Sequence, residues 1–382
     1  MVYDYFDKYT FLCEMYDDHS DGIVELVLNY FPFDKSCQII DPKKGKNLLK
    51  RVQMPSLSIE MLQIGNIVNI LSKLLLIRDC APETRKTLFA NFESTFALIK
   101  PVSPSLHGKI ITFIMKKGFH IVRMKNGKLT KDHAMELYRN IGGNSFLPVI
   151  IDYVTSGEVI GLELQGPNAV AEWKRCLGAT DPAEAEPGTL RHLYGENKLK
   201  NIAHGCNSTE NAAKMLEQFF DYDNGVLRVP FRATFENCTC CIIKPHVLVD
   251  GNVGTILEHI CTSGKFYISA MAMFSVKLAN AEEFYEIYKG VLPEYEALCI
   301  TLAEGKCIAL EIKCTDPSEN CVSKFRKLCG PRDPDLCRQL YPDTLRALYG
   351  KTMVHNAVHC TDLPEDGENE VIYFFKLLVN DQ

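Results

Sequence analysis

The sequence predicts an α+β fold in which two related domains of ferredoxin-like type, residues 91–222 and 237–380, follow a small all-β domain, residues 1–90. Two observations predict the related pair: short motifs recur in the same order in two stretches, and the same alternation of strand and helix patterns surrounds each set. A third observation separates the N-terminal part, because it matches neither copy. A length of 382 residues suits two or three domains.

The N-terminal 90 residues are interpreted as short strands. Residues 22–31 and 64–77 are rich in Val, Ile and Leu, and they are interrupted by Pro32 and by Gly65-Asn66. Apolar runs bounded by turn residues are typical of a small β domain. Residues 81–93 are polar and are interpreted as a linker.

Four pairs of motifs carry the repeat. The number of residues between the two motifs of a pair increases slowly from the first pair to the last. This indicates one ancestral unit with loop insertions in the second copy. The pairs are Ile99-Lys-Pro101 with Ile243-Lys-Pro245, Trp173-Lys-Arg-Cys-Leu-Gly178 with Phe325-Arg-Lys-Leu-Cys-Gly330, Pro187-Gly-Thr-Leu-Arg191 with Pro342-Asp-Thr-Leu-Arg346, and Asn201-Ile-Ala-His204 with Asn356-Ala-Val-His359.

Each copy repeats one order of elements. An apolar strand that ends at Lys-Pro is followed by a helix, a second strand, a polar helix and another strand, which is typical of a ferredoxin-like sandwich. The segment 221–236, with Asn224-Gly225 and Pro230, separates the copies. The elements are 94–100, 109–117, 119–124, 131–138 and 159–164 in the first copy, and 239–244, a helix through 256–260, 267–274, 281–288 and 307–312 in the second.

Composition excludes several classes of protein. Hydrophobic residues are 46% and charged residues 24%, and 42 basic against 48 acidic side chains give a net charge of −6, so we expect no nonspecific DNA binding. No apolar run is long enough for a membrane span, and the first ten residues do not form a secretory signal. The 16 scattered cysteines favour reduced thiols in the cytoplasm. For Cys238, Cys240 and Cys241 a buried strand is favoured over zinc, and no metal site is predicted.

Each copy contains cationic residues, an asparagine and one histidine in the same order along the sequence. The spacing from arginine to asparagine to histidine is identical in Arg191–Asn201–His204 and Arg346–Asn356–His359. Arginine suits phosphate oxygens, and a neutral imidazole is a nucleophile that can hold a phosphoryl group. A single histidine is more often structural, but the duplicated order favours phosphoryl transfer. The further candidate cations are Lys100, Lys174, Lys244 and Arg326.

The motifs resemble those of the nucleoside diphosphate kinase family over residues 94–220 and 238–375. The resemblance implies transfer of the γ-phosphate between nucleoside di- and triphosphates through a phosphohistidine, with Mg²⁺ and ATP or another nucleotide. His204 and His359 would accept phosphate, and Phe146 would stack on the base. Tyr138 lies at the active-site tyrosine, with Tyr285 as its nearest counterpart. The other residues implied in nucleotide binding are Lys100, Lys174, Thr180, Arg191, Asn201, Lys244, Arg326, Arg346 and Asn356.

The two copies depart from the family pattern in different ways. The acid that supports the histidine is Met215 in the first copy and Glu370 in the second. The second copy has a longer nucleotide loop, with Arg332 where the first has Thr180. The Asp that usually follows Lys-Pro is replaced by Val102 and His246.

The whole arrangement resembles a two-copy branch of the family with an N-terminal DM-type domain, on the basis of Leu48-Leu-Lys-Arg51 and Ile64-Gly-Asn-Ile-Val-Asn69. That resemblance implies a pleckstrin-like β fold and a partner in tubulin, the doublet microtubules of the ciliary axoneme or the γ-tubulin complex of the centrosome. Neither DNA nor a membrane is expected as a partner. Three hypotheses stay open: an enzyme of weak or partial activity, a structural microtubule protein without turnover, and a nucleotide-binding regulator.

Overall fold

The computed structural model describes residues 4–17, 22–139, 146–223, 226–227 and 229–381. By its contacts the chain divides into two compact units, Met1–Ala90 with Ser275–Lys306, and Asn91–Phe274 with Cys307–Gln382. Among the helices of the described residues, none is both long and apolar enough to cross a membrane.

The N-terminal residues form one antiparallel sheet of six strands in the order β4-β3-β2-β1-β6-β5. A short helix, α1, follows the last strand, so the segment 81–93 that was predicted as a linker holds a helix from Pro82, and the next strand starts at Phe92. The pleckstrin-like assignment stays a prediction. The elements are β1 (Tyr9–Asp17), β2 (Gly22–Phe31), β3 (Ser36–Asp41), β4 (Lys46–Gln53), β5 (Ile67–Ile70), β6 (Lys73–Cys80) and α1 (Pro82–Leu88).

The first copy follows the predicted alternation, with boundaries that differ by a few residues. Its elements are β7 (Phe92–Ile99), α2 (Pro104–Lys116), β8 (His120–Gly127), α3 (Lys131–Leu137), α4 (Leu147–Ser156), β9 (Val159–Pro167), α5 (Ala169–Leu177), α6 (Leu190–Tyr194), β10 (Ala203–Gly205) and α7 (Thr209–Phe220). The segment that separates the copies carries two short strands, β11 (Tyr222–Asp223) and β12 (Val226–Leu227); its Asn224-Gly225 signal lies outside the described residues.

The second copy repeats this order. Its polar helix and the helix after it lie in Ser275–Lys306, the part of the chain that groups with the N-terminal residues. The elements are β13 (Cys238–Ile243), α8 (Pro245–Val249), α9 (Val253–Thr262), β14 (Phe266–Ser275), α10 (Leu278–Phe284), α11 (Tyr295–Ala303), β15 (Lys306–Cys314), α12 (Cys321–Cys329), α13 (Pro334–Leu340), α14 (Leu345–Tyr349), β16 (Val358–Cys360) and α15 (Gly367–Ile372). The cysteine-rich strand β13 is buried along its whole length.

The sheet order confirms the ferredoxin-like prediction for both copies. One sheet of eight strands runs β10-β7-β9-β8-β14-β15-β13-β16. Numbered within each copy, the order is 4-1-3-2 from either end of the sheet, as expected when two β-α-β units interleave antiparallel strands. The fourth strand therefore lies at each outer edge, and it carries the candidate histidine in both copies.

The two copies meet at strands β8 and β14, which pair antiparallel where Lys125 lies opposite Ala272. The fully buried side chain of Asn126 extends this pairing: its Nδ2 donates to Ser269 O at 3.2 Å, and its Oδ1 accepts from Met271 N at 2.8 Å. A buried amide whose two ends both bond across the junction fixes the register of the pairing.

Helices α2 and α9 also cross closely at this junction, through Gly108 and Gly254. A Cβ added to Gly254 would lie 2.2 Å from Thr112 Oγ1 and 2.4 Å from Gly108 O. Only glycine permits so close an approach of two backbones. The two copies thus share one continuous sheet and one close helix crossing within a single chain.

Candidate functional site

Each candidate histidine lies in the middle of a three-residue edge strand. His359 in β16 pairs with Ile242, and His204 in β10 pairs with Leu98. The residue at the turn into each strand has a left-handed backbone, with φ of 69° at Ala357 and 73° at Ile202. Positive φ is uncommon for any residue other than glycine and is most strained for a β-branched one such as Ile202, and such strain often marks functional sites. Both copies therefore hold the histidine on the same constrained backbone.

In the second copy the histidine is held by a carboxylate. His359 Nε2 lies 2.9 Å from Glu370 Oε2, and Thr361 Oγ1 donates to the same oxygen at 2.8 Å. Thr361 Oγ1 also accepts from Cys240 N at 3.0 Å, which fixes the hydroxyl. Because a carboxylate only accepts hydrogen bonds, Nε2 carries a proton, and in the tautomer that this bond selects the ring lone pair lies on Nδ1.

The first copy lacks this arrangement because both residues that contact each other there are different. Met215 occupies the position of Glu370 and Cys206 that of Thr361, and their sulfur atoms lie 3.4 Å apart in the core. His204 instead lies against the ring of Tyr138, with centroids 5.0 Å apart. Burial, with Lys100 and Arg191 nearby, lowers the pKa of His204 to about 3, so this imidazole is neutral at physiological pH.

The basic residues of the first copy converge beside His204. Lys100 Nζ donates to Asn201 Oδ1 at 2.7 Å, and Asn201 Nδ2 donates to Thr180 O at 3.0 Å. Arg191 donates to Gly178 O at 2.9 Å and to Ala203 O at 3.1 Å. Burial and then the charge of Arg191 lower the pKa of Lys100 to about 8.

Two buried donors beside His204 lack a hydrogen-bond partner among the described residues. They are Arg191 Nε and the hydroxyl of Tyr138. A buried donor without a partner costs about 1–3 kcal/mol, so such groups call for an explanation. An anion bound at this site would offer acceptors to such donors, as the oxygens of a phosphate group do.

The second copy holds its arginine and asparagine in the same way. Arg346 donates to Gly330 O at 2.8 Å and to Val358 O at 3.1 Å, the counterparts of the carbonyls that hold Arg191. Asn356 Nδ2 donates to Arg332 O at 3.2 Å, and its buried Oδ1 has no partner among the described residues. The counterpart of Lys100, Lys244, donates to Val354 O at 2.7 Å.

The cation on the helix before the nucleotide loop differs between the copies: it is Arg326 on α12 and Lys174 on α5. In the second copy Arg326 forms an ion pair with Asp362 and donates to Thr361 O at 3.4 Å. In the first copy Lys174 donates to the neutral Asn207 at 3.1 Å. The Arg326–Asp362 pair is well exposed, and exposed pairs contribute only about 0–1 kcal/mol, so an incoming phosphate can exchange with Asp362.

The remaining predicted site residues are Thr180, Phe146 and Tyr285. The side chain of Thr180 is exposed, and Phe146 is partly exposed just before α4. Tyr285 lies in the other compact unit, where it is buried and its ring centroid is 5.8 Å from that of Tyr288. The role of Thr361 was not predicted from the sequence. Its replacement by Cys206 can be seen in the sequence, as can that of Glu370 by Met215, but the contact within each pair cannot.

The carboxylates beside the histidine of the second copy are already engaged, Glu370 with His359 and Asp362 with Arg326. Over the described part of the chain, no cluster of three or more His, Cys, Asp or Glu side chains could hold a metal ion. Mg²⁺ usually enters phosphoryl-transfer sites on the phosphates of the nucleotide. The donor set therefore fits Mg²⁺ as part of the nucleotide substrate.

The fold of the two copies agrees with the comparison to known families. The family model "Nucleoside diphosphate kinase" matches residues 93–224 and again residues 237–378. These two matches cover most of the chain, and the chain belongs to the nucleoside diphosphate kinase family.

Individual relatives match the chain over different lengths. The chain is 42% identical over 378 residues to "Nucleoside diphosphate kinase homolog 7" of Rattus norvegicus, covering 98% of this chain and 94% of that protein. The Mus musculus protein of the same name is 41% identical over the same length and coverage. "Nucleoside diphosphate kinase" of Chlorobium luteolum is 42% identical over 130 residues, which cover 34% of this chain and 93% of that protein.

Proposed function

We propose that the second copy transfers the γ-phosphate between nucleoside tri- and diphosphates through His359, and that the first copy binds nucleotide but transfers phosphate slowly. The observation that carries this proposal is the hydrogen bond of 2.9 Å between His359 Nε2 and Glu370 Oε2. It is present only in the second copy, because Met215 replaces the acid in the first.

The geometry supports a two-step transfer. Nδ1 of His359 attacks the γ-phosphorus of Mg²⁺·ATP, the bond from that phosphorus to the β–γ bridging oxygen breaks, and ADP leaves with the bond electrons. The ring gains positive charge as the N–P bond forms, and Glu370, which accepts from Nε2–H, stabilises that charge. A second nucleoside diphosphate then attacks the phosphoryl group and restores the neutral imidazole.

The first copy keeps the residues that we propose to bind nucleotide, but Met215 replaces the carboxylate that supports transfer. Arg191 and Asn201 donate to the same backbone carbonyls as their counterparts, and Lys100 donates to Leu199 O as Lys244 does to Val354 O. Arg191 Nε and the Tyr138 hydroxyl are buried donors without a partner among the described residues. His204 is neutral, but among the described residues no carboxylate takes the place of Glu370 to support the charge that would develop on its ring. Nucleotide binding at this copy is therefore compatible with slow chemistry.

The test is site-resolved phosphohistidine mapping of the full chain. After incubation with γ-labelled ATP and Mg²⁺, we expect acid-labile label on the peptide that contains His359 and at least tenfold less on the peptide that contains His204, because only His359 has a supporting carboxylate. Equal labelling of both peptides, or label on His204 alone, would contradict the assignment. No label on either peptide would favour the structural hypothesis.

We further propose that residues 1–90 attach the chain to tubulin, in doublet microtubules or the γ-tubulin complex, and place it in the ciliary axoneme or at the centrosome. This rests on the resemblance of segments 48–51 and 64–69 to a DM-type domain. The outer strand β4 adds a physical reason, because Lys46 and Lys50 are exposed on it and the microtubule surface is acidic.

A cosedimentation assay tests the attachment. The full chain is expected to pellet with microtubules at low salt, and the pair Lys46→Glu and Lys50→Glu to weaken binding several-fold, since exposed basic residues steer association with acidic surfaces. The matched control is Lys86→Glu, an exposed lysine on α1. If the full chain stays in the supernatant, or if the control weakens binding equally, the proposal is wrong.

A further inference from the structure

A cluster of basic side chains lies where α8 meets the loop 350–356 of the second copy. The rings of His246, on α8, and His355, in the loop, contact each other edge to face, with centroids 5.1 Å apart. Lys351 Nζ lies 2.6 Å from Oδ2 of Asp250, the C-cap residue of α8. Lys351 N also donates to His355 O at 2.7 Å, which closes the loop. Helix and loop are therefore joined by one ring contact and one ion pair.

The side chain of His246 is buried but lacks hydrogen bonds. Its exposure is 8%, and neither ring nitrogen has a hydrogen-bond partner among the described residues. A neutral imidazole has one donor and one acceptor nitrogen, and leaving both without a partner is unfavourable, so this ring calls for an explanation. The cluster reaches solvent through Lys351, which is exposed, and His355, which is partly exposed. A ligand can therefore approach His246 from that side.

The charge around His246 indicates which kind of ligand would bind. Burial first, and then His355, Lys244 and Lys351, lower the pKa of His246 to about 3. Positive surroundings that oppose a proton also oppose a metal cation, and among the described residues no group of three His, Cys, Asp or Glu side chains could hold one. Asp250, the carboxylate of the cluster, is already paired with Lys351. The same surroundings favour an anion, which would accept from the imidazole N–H and offset the positive charge.

The first copy has the same loop without the cluster. There Glu196 N donates to Lys200 O at 2.9 Å, which closes the loop as in the second copy. The side chains of Glu196 and Lys200 form an ion pair of 3.2 Å with each other. The positions of His246, Lys351 and His355 are taken by Val102, Glu196 and Lys200. The basic cluster therefore arises from three differences that occur together in the second copy.

We propose that His246, His355 and Lys351 form an anion site that takes a phosphate group, next to the nucleotide site but separate from it. One ring N–H of His246 and the ammonium of Lys351 would donate to phosphate oxygens. Lys351 can exchange Asp250 for phosphate, because an ion pair this exposed is weak. A phosphate group suits the cluster because its several oxygens can accept from donors on both α8 and the loop. The group belongs either to inorganic phosphate or to a nucleotide, and calorimetry distinguishes the two sources.

An anion at this site would act on two residues that we assign to nucleotide binding. Lys244 lies two residues before His246, and Asn356 follows His355 directly. Lys244 N donates to Ala357 O at 3.0 Å, so the two segments already pair beside the cluster. A phosphate group that bridges α8 and the loop would hold them together more firmly. It therefore tightens nucleotide binding in the second copy, a step that rests on the proposed function, whereas the anion site does not.

Nuclear magnetic resonance of the histidine rings tests the site in the full chain. With ¹³C-labelled histidine, we expect the signals of His246 and His355 to move together as sodium phosphate is added at constant ionic strength, because both rings adjoin the bound group. His246→Val, which introduces the residue of the first copy, should abolish the response of His355 and leave that of His359 as in the parent chain. No movement of His246 and His355, or equal movement with chloride, would overturn the proposal. The proposal is also wrong if His355 still responds in His246→Val.

A charge reversal provides the matched variant. Lys351→Glu, again the residue of the first copy, is expected to weaken phosphate binding about fivefold, because it removes an exposed cation of the site. The control is Lys265→Glu, an exposed lysine at the end of the sheet where β13 starts, whereas the cluster follows the end of β13. It makes the same change in net charge and should leave the affinity within about twofold of the parent chain. Equal weakening by both variants would mean a general effect of charge and would overturn the site.

Calorimetry with Mg²⁺·ADP tests the coupling and identifies the source of the phosphate group. A Lys100→Ala background weakens the first copy, so that the second is measured on its own. We expect the chain with His246 to bind ADP about fivefold more tightly than His246→Val. A difference that requires added phosphate assigns the site to inorganic phosphate, and one present without it assigns the site to the nucleotide. No difference in either condition would overturn the coupling. If ADP binds in neither condition, the proposed function fails, and the histidine signals still decide on the anion site.

Discussion

Glu370→Gln is expected to slow phosphorylation of His359 by about a hundredfold, and His359→Ala to abolish it at that site. Glutamine keeps the size of the side chain and can still accept from Nε2, but it removes the negative charge 2.9 Å from the ring. The attack by Nδ1 develops positive charge on that ring, so the loss is felt mainly in the transition state. The measurement is the initial rate of acid-labile label on the His359 peptide.

The first copy provides the reciprocal experiment. Met215→Glu together with Cys206→Thr would recreate the hydrogen-bonded pair that Thr361 and Glu370 form. We expect a detectable gain of label on His204 when the two changes are combined, and little gain from Met215→Glu alone, because a buried carboxylate without its hydroxyl partner is destabilised. If Glu370→Gln keeps the rate of the parent chain, the carboxylate has no part in transfer.

The sequence predicted the ferredoxin-like copies because their signals are local and are present twice. Strands that end at Lys-Pro, and helices that end at glycine, are patterns within one stretch of chain, and β7 and β13 start within two residues of their predicted positions. The segment 81–93, predicted as a linker, shows the limit of composition, because its polar residues gave no sign of helix α1. Those residues are polar because α1 is a short surface helix whose only buried residue is Thr84.

Other features left no local signal. The hairpin between β5 and β6 turns at Leu71 and Ser72, both with positive φ, where glycine or asparagine would be expected. The pairing of β8 with β14 depends on Asn126, and a single buried amide cannot be recognised in a sequence. The spacing of site residues predicted which arginine and asparagine lie beside each histidine, but the exchange between the Thr361–Glu370 and Cys206–Met215 pairs needed three-dimensional contacts.

Gly254→Ala is expected to destabilise the chain by about 3 kcal/mol, at the upper end of the cost of overpacking a close contact. The added Cβ would lie 2.4 Å from Gly108 O and 2.5 Å from Thr112 N, both of them backbone atoms of α2. Alanine favours an isolated helix over glycine by about 1 kcal/mol, so the intrinsic preference opposes the predicted loss. A loss would therefore come from the helix crossing between the copies. Unfolding in urea, followed by tryptophan fluorescence of Trp173, measures it.

Gly166→Ala is the matched control, because a Cβ there would meet only Phe119 Cδ1, at an ordinary 3.8 Å. We expect this variant to stay within about 0.5 kcal/mol of the parent chain. Gly108→Ala should resemble Gly254→Ala, since its Cβ would lie 2.4 Å from Gly254 O. If both junction variants are as stable as the control, helices α2 and α9 are further apart in solution. The shared sheet would then hold the copies together largely through β8, β14 and the two hydrogen bonds of Asn126.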